Sequence, residues 1–223
     1  RPCPDRPAEP ARPTIHAVAT TDRYRRIARF YDRVIEPMQA GVRRRALGVL
    51  PPEPGWRVLD VGCGTGTGLV PYVEAGCEAS GVDMSAAMLA KATDRLGDRA
   101  DLHHGDGDSL PFPSDHFDLV MTTMVLHEVP ATDRLGFVDE MARVAKPDGQ
   151  LLIIDFNIGP LNGRGTVLRM VTEVVERLSG HHSGYRSFKH AGGAPATLRQ
   201  AGLDLERQKI VAGGNVGIYV AHP

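Results

Sequence analysis

From Trp56 onward, short apolar runs alternate with segments of helical periodicity. Arg57–Val61 (RVLDV) is a run of mostly apolar residues ending in glycines, which suits a strand buried on both faces. Leu69–Gly76 continues as a helix, and Glu78–Val82 is the next strand. Ser85–Leu96 reads as a helix with Ser85 as its cap and Gly97 just past its end. Asp101–His104 is a weak strand, and Phe117–Thr122 (FDLVMT) is a stronger one. Asp133–Ala145 reads as a helix closed by Lys146 and Pro147, and Gln150–Phe156 (QLLIIDF) as a strong strand. This β-α-β-α alternation predicts a parallel sheet with helices on both faces.

The flanks follow other patterns. Residues 20–35 set Tyr24, Ile27, Phe30 or Tyr31, and Val34 or Ile35 at helical spacing, with Thr21 or Asp22 as cap. Pro37 interrupts, and Gln39–Leu50 reads as a second helix ended by Pro51-Pro52. Residues 1–13 hold five prolines and predict an extended, flexible tail. After Asn157, Gly165–Leu178 is a helix with Val167, Leu168, Val171, Val174 and Val175 on one side. His181–Gly193 is polar and Gly-rich and reads as a loop, and Pro195–Ala201 is a short helix. Leu203–Val211 and Asn215–His222 are strands joined at Gly213-Gly214, a hairpin signal. The expectation is an α/β chain with one domain over residues 14–223. Its seven-stranded mixed sheet is mostly parallel, with a C-terminal antiparallel hairpin. An N-terminal helical cap (14–50) and an insertion after the fifth strand (157–193) are added to it.

Composition narrows the class. At 223 residues and 42 % hydrophobic content the chain can bury a sizeable core. No apolar run approaches the roughly 18 residues that cross a bilayer. The segment RPCPDRPAEPARPT lacks the apolar stretch of a secretory signal. Three cysteines are too few for a disulfide framework, so a cytoplasmic location is expected. The net charge of −1 is unevenly spread: residues 1–45 carry 11 Arg and 5 acidic residues. A nucleic-acid partner is not expected, because the basic excess is too small overall. Two readings of the basic end stay open, a solvated helix face and attraction to a membrane surface or anionic partner.

The segment Val58-Leu-Asp-Val-Gly-Cys-Gly-Thr-Gly66 lies where the first strand hands over to the first helix. Gly62, Gly64 and Gly66 permit a sharp turn and close approach of a ligand to the backbone, beside a helix N-terminus. No Gly-Lys-Ser/Thr tripeptide follows, so this is not a P-loop. The dinucleotide frame fails as well, because Thr67 or Leu69 stands where its third glycine belongs. Asp60, just before the glycines, would repel a pyrophosphate but suits an ammonium or sulfonium charge. Asp83 ends the second strand 21 residues after Gly62, the spacing at which a carboxylate meets the two ribose hydroxyls of an adenosine ligand. A cap for the helix at Ser85 is the alternative. Asp106, in His104-Gly-Asp-Gly-Asp108, could accept from an adenine amino group or belong to a simple turn.

Together these residues resemble the class I S-adenosylmethionine-dependent methyltransferases, in the small-molecule branch of menaquinone/ubiquinone-type and phospholipid N-methyltransferases. The resemblance covers Arg26 to Phe156, in the stretches VLDVGCGTG, GVDMSAAMLAKA, HGDGDSLPFPSDHFDLV, VLHEVP and EMARVAKPDGQLLIIDF. It implies a Rossmann-like fold and S-adenosyl-L-methionine as cofactor. Gly62, Gly64 and Gly66, with Cys63 and Thr65 between them, would hold the methionyl half, and Asp60 would orient the turn. Asp83 would hold the ribose, Met84 would pack on the adenine, and Asp106 and Gly107 would read its edge. Thr122 would offer a carbonyl to the cofactor ammonium, and Tyr31 would close over its carboxylate. Pro147-Asp148-Gly149 departs from the family's usual Pro-Gly-Gly.

Methyl transfer from a sulfonium is a direct displacement, so the protein holds a nucleophile in line and excludes water. His127, in VLHEVP after the fourth strand, has two readings: general base or cofactor-side wall, and helix-start or core histidine. Cys63 reads as a small packing residue. No metal site is expected, because Ala131 stands where H-E-x-x-H needs its second histidine. The expected acceptor is a small, partly apolar molecule: quinone- or phenol-like, a lipid headgroup or a secondary metabolite. The rivals are an RNA or protein methyltransferase and a non-catalytic binder of the cofactor or S-adenosylhomocysteine. The insertion, with Tyr185 and Arg186, is expected to form a lid that meets the N-terminal helices over the acceptor. Its alternative role is a homodimer face.

Overall fold

Alternate residues of the central strands are buried on opposite faces of the sheet, and this sets the layering. On β1 (Arg57–Val61), Leu59 and Val61 enter one core and Val58 the other. The same division runs through β4 (Phe117–Thr123) and β5 (Ala145–Phe156): Val120, Leu151 and Ile153 face one way, Leu119, Leu152 and Ile154 the other. A computed structural model describes residues 36–179 and 182–223. The expected tail, the helix over 20–35 and Tyr31 lie outside the described residues.

The seven strands are ordered β3-β2-β1-β4-β5-β7-β6, with β2 at Glu78–Asp83, β3 at Ala100–His104, β6 at Asp204–Val211 and β7 at Val216–His222. Strands β1 to β5 pair in parallel, and β7 is antiparallel to both β5 and β6. This is the expected Rossmann-like mixed sheet with a C-terminal hairpin. The order reverses between β1 and β4, which opens a crevice at their C-terminal ends.

Helices cover both faces. On one side lie α1 (Glu36–Leu47), α2 (Val70–Glu74) and α3 (Ala86–Leu96), through Ala46, Tyr72, Leu89 and Leu96. On the other, α4 (Arg134–Val144) buries Phe137, Val138, Met141 and Val144. Ser85 caps α3 as expected, its hydroxyl accepting from Met88 N at 3.2 Å.

Several expectations need correction. Helix α1 starts at Glu36 and ends at Leu47, rather than spanning Gln39–Leu50; Pro37 sits in its first turn, where a missing N–H costs nothing. Strand β5 starts at Ala145, five residues before Gln150. Its register shifts between Phe117 and Leu119, an irregularity that accommodates Pro147 and Gly149. The largest correction falls in the insertion. Beyond α5 (Gly163–Ser179), the segment read as a loop forms α6 (His182–His190), and α7 (Gly193–Gln200) follows. Tyr185 and Phe188, three apart on α6, are 1 % and 0 % exposed and pack beside Phe156 and Leu198. Glycine and charge hid two aromatic anchors on one helical face.

Phe188 is therefore core. Phe188→Ala should lower unfolding free energy by about 3–5 kcal/mol, read from the urea midpoint. A change within about 0.5 kcal/mol, typical of a surface position, would show that α6 is not packed as described.

Candidate active site

The glycine turn is built on the ends of β1 and β2. Gly62 N and Cys63 N both donate to Val82 O, at 2.8 and 3.0 Å, and Gly66 N donates to Cys63 O at 2.9 Å. The three glycines have positive φ, but their surroundings differ. A methyl group on Gly62 would meet Val125 Cγ2 at 2.5 Å, and one on Gly66 would meet Leu96 Cδ1 at 2.8 Å and Ala92 Cβ at 3.0 Å. A methyl group on Gly64 would meet nothing within 4 Å. Only Gly64 thus faces open space; Gly66 is small because α3 packs against it. Cys63 is buried beside Gly81, and burial pushes its thiol well above the ordinary range, so it stays a neutral packing group. Thr65 is buried, its hydroxyl 3.1 Å from that of Thr67, and its carbonyl accepts from Arg95.

Asp83 clamps this turn. Its Oδ2 accepts from Gly64 N at 2.7 Å and its Oδ1 from Ser85 N at 2.8 Å. The carboxylate thus joins β2, the glycine turn and the start of α3, which fits the cap reading. Each oxygen keeps lone-pair capacity, so the clamp does not preclude ribose hydroxyls. Met84 beside it is 56 % exposed. Asp106 Oδ1 accepts from Gly107 N at 2.7 Å, and Gly107 is close-packed against Phe137 and Val61. Thr122 is fully buried, and its hydroxyl donates to Val61 O at 2.7 Å, locking β4 to the end of β1.

Asp60 is 2 % exposed, and its Oδ1 is buried with no hydrogen-bond partner. Burial, then the Asp83 charge, push its carboxyl up to about 7, while Arg43 pulls it down. A buried carboxylate without a donor is costly unless a ligand satisfies it. Asp60 Oδ2 lies where a side chain at Gly68 would be, 2.7 Å from its Cβ position. A buried acid with an unpartnered oxygen fits a ligand that brings positive charge.

Past β4, His127 is 2 % exposed, and its Nδ1 lies 2.8 Å from Asp155 Oδ1. Asp155 Oδ2 also accepts from His127 N at 3.1 Å, and Oδ1 from Phe156 N at 2.6 Å. His127 Nε2 stands 3.9 Å from Glu128 Oε1. The imidazole is walled by Phe156 at 4.7 Å and by Tyr185 and Phe188, both at 6.4 Å between ring centroids. His127 and Tyr185, singled out separately in the sequence, are neighbours here. Sequence reasoning missed Asp155, whose signal was an acid inside the apolar run QLLIIDF. It also missed Arg43, whose charge reaches Asp60 from α1.

The sheet order, the glycine cradle and the two strand-end acids define a nucleoside-binding α/β protein, and comparison with known proteins narrows that class. Residues 59–153 match the family described as a methyltransferase domain. A demethylmenaquinone methyltransferase of Beutenbergia cavernae is 35 % identical over 212 residues, 87 % of this chain and 87 % of that protein. The 27-O-demethylrifamycin SV methyltransferase of Amycolatopsis mediterranei is 34 % identical over 174 residues, 75 % of this chain but 61 % of that protein. The chain likewise spans 61 % and 54 % of the length of two further curated relatives. A SAM-dependent methyltransferase of Aquifex aeolicus shares the fold, with a TM-score of 0.60 at 22 % identity over 80 % of this chain and 88 % of that one. The chain belongs to the class I S-adenosylmethionine-dependent methyltransferases. Within that family its similarity runs to the demethylmenaquinone methyltransferases.

The family's cofactor is S-adenosylmethionine, and the orphaned Asp60 carboxylate and the open Gly64 fit it. Two outcomes follow. Asp60 keeps its proton to about pH 7 in the folded chain but only to about pH 4 unfolded. Its contribution to stability is full below pH 4 and is lost as pH rises through 7. A cationic ligand beside it favours the carboxylate, so binding releases a proton below pH 7. Calorimetry should show S-adenosylmethionine affinity rising with pH toward 7 by up to about tenfold per unit, and Asp60→Asn should flatten the slope. A flat wild-type profile would separate Asp60 from the cofactor charge. The second outcome concerns the glycines. Gly64→Val should fold with a loss of about 1–3 kcal/mol from its positive φ alone, yet lose cofactor binding. Gly66→Val should lower the melting temperature further through its clash with Leu96 and Ala92. Equal melting temperatures for the two variants would contradict these surroundings.

Proposed function

We propose that this chain transfers a methyl group from S-adenosylmethionine to a small, partly apolar acceptor, with His127 as the group that handles the acceptor's proton. The observation that carries this reading is the buried Asp60 carboxylate with an unpartnered oxygen, on the strand that leads into the glycine turn. Bound there, S-adenosylmethionine supplies an activated methyl on sulfur and a neutral sulfide leaving group. Asp83 and the Gly62–Gly66 turn would hold its ribose and methionyl parts, with Met84, Asp106 and Gly107 at the adenine side and Thr122 behind the crevice. The small-molecule acceptor is supported by the substrates for which the relatives are named, demethylmenaquinone and 27-O-demethylrifamycin SV.

Asp155 holds His127 Nδ1, so proton exchange with an acceptor falls to Nε2, and the aromatic wall of Phe156, Tyr185 and Phe188 keeps water from it. In this reading Asp155 is a positioning residue: it fixes the tautomer and stabilises an imidazolium that forms. Tyr185 is part of the wall on a packed helix rather than a residue on a movable loop.

The test is transfer of labelled methyl from S-adenosylmethionine to a panel of phenols, hydroquinones and amines, with and without a carboxylate or phosphate ester group. Wild type should label a hydroxyl or acidic-carbon acceptor. His127→Ala should lower kcat by about 10²–10⁴-fold, with S-adenosylhomocysteine affinity within about threefold. Asp155→Asn should lower kcat and shift the pH profile, which a merely structural acid would not do. Near-normal kcat in folded His127→Ala would assign the imidazole to packing. No transfer to any acceptor, despite S-adenosylmethionine binding, would favour a non-catalytic binder.

A further inference from the structure

Helices α5 and α6 line an open cavity of about 420 Å³ whose lining shares no residue with the glycine cradle. That volume is in the range of sites for small organic molecules. Arg177, Arg186 and Lys189 line it, together with His182 and His190. Among the described lining residues the one carboxylate, Glu173, binds Lys189 Nζ at 3.1 Å, and that bond holds it below the usual carboxylate range. Positive charge thus exceeds negative even with both imidazoles neutral. His182 Nδ1 is buried with no hydrogen-bond partner, a second sign that the cavity is built for a ligand. Ile158 supplies an apolar wall. On α5, Val174 and Met170, three and seven residues before Arg177, continue the apolar surface and are 54 % and 64 % exposed.

The cavity also touches the site already described. Lys189 Nζ lies 5.1 Å from the Tyr185 ring centroid, and the Tyr185 ring packs on Phe156 at 5.0 Å and faces His127. One aromatic ring links its wall to the imidazole.

We propose that this cavity binds an organic anion, a carboxylate or phosphate ester on an apolar body, and that this group belongs to the methyl acceptor. The proposal rests on the methyl-transfer reading above. It narrows the acceptor to amphiphilic anions and assigns Arg177 and Arg186 as specificity residues. Guanidinium groups suit such oxyanions because they donate in a planar fork.

The experiment uses the full chain and three probes followed by calorimetry: 1-naphthyl phosphate, neutral 1-naphthol and inorganic phosphate. S-adenosylhomocysteine is titrated in parallel. The expected result is saturable binding of 1-naphthyl phosphate, with the other two probes at least about tenfold weaker. Arg177→Glu and Arg186→Glu change exposed side chains, so both variants should fold. Each should weaken 1-naphthyl phosphate by about fivefold or more, with S-adenosylhomocysteine affinity within about threefold. No saturable binding, or binding indifferent to both substitutions, overturns the proposal. Inorganic phosphate binding as tightly as the ester overturns it too, because the site would then serve a free anion. If wild type fails to bind S-adenosylhomocysteine, the methyl-transfer reading itself falls; if it binds S-adenosylhomocysteine but not the ester, only the cavity assignment falls.

Discussion

Both faces of the central strands are sealed by helices, so polar chemistry is confined to the strand ends. Val58, Leu59 and Val61 on β1, and Leu119 and Val120 on β4, leave no exposed face on which a ligand could sit. Polar atoms inside such a sheet must be paired, and the backbone ladder pairs them. Where the ladder stops, N–H groups and acids become available together. The reversal of strand order between β1 and β4 then spaces two strand ends far enough apart to admit a ligand. The glycine cradle and its two acids lie along that edge.

Two carboxylates share the edge and are treated differently. Asp83 accepts two backbone N–H bonds and stitches the turn to α3. Asp60, one strand away, has a buried oxygen without a partner and a carboxyl driven upward by burial and by Asp83. The satisfied acid ties the cradle together, and the unsatisfied one leaves a buried oxygen without a donor. Preorganisation of this kind costs stability in the empty protein, and ligand binding returns it.

A second pairing organises the neighbouring side. Asp155 on β5 reaches the backbone and the imidazole of His127, so the loop after β4 is tied to the next strand. Helix α6 completes the enclosure with Tyr185 and Phe188, while Arg186 and Lys189, each one position further along, line the basic cavity. The insertion after β5 therefore contributes to core and surface at once. This is why its sequence looked like a loop: two aromatic anchors carry its packing, and the rest is polar or glycine.

The sheet and the cradle were legible in the sequence because they depend on local signals. Apolar runs of five to seven residues, glycines with an acid on either side, and a capping serine each leave a mark within a few positions. The 21-residue step from Gly62 to Asp83 carries meaning for the same reason: one β-α-β unit sets it. The tertiary structure decided what depends on contacts distant in sequence. Asp155 and His127 are 28 residues apart, and only β5 lying beside β4 makes them a pair. Gly64 and Gly66 look alike in the chain, yet α3 packs against one and leaves the other open. Tyr185 became core through Phe156, and Asp60 was orphaned by the strands around it. Burial and pairing are properties of neighbours that the fold supplies, so no periodicity along the chain could have shown them.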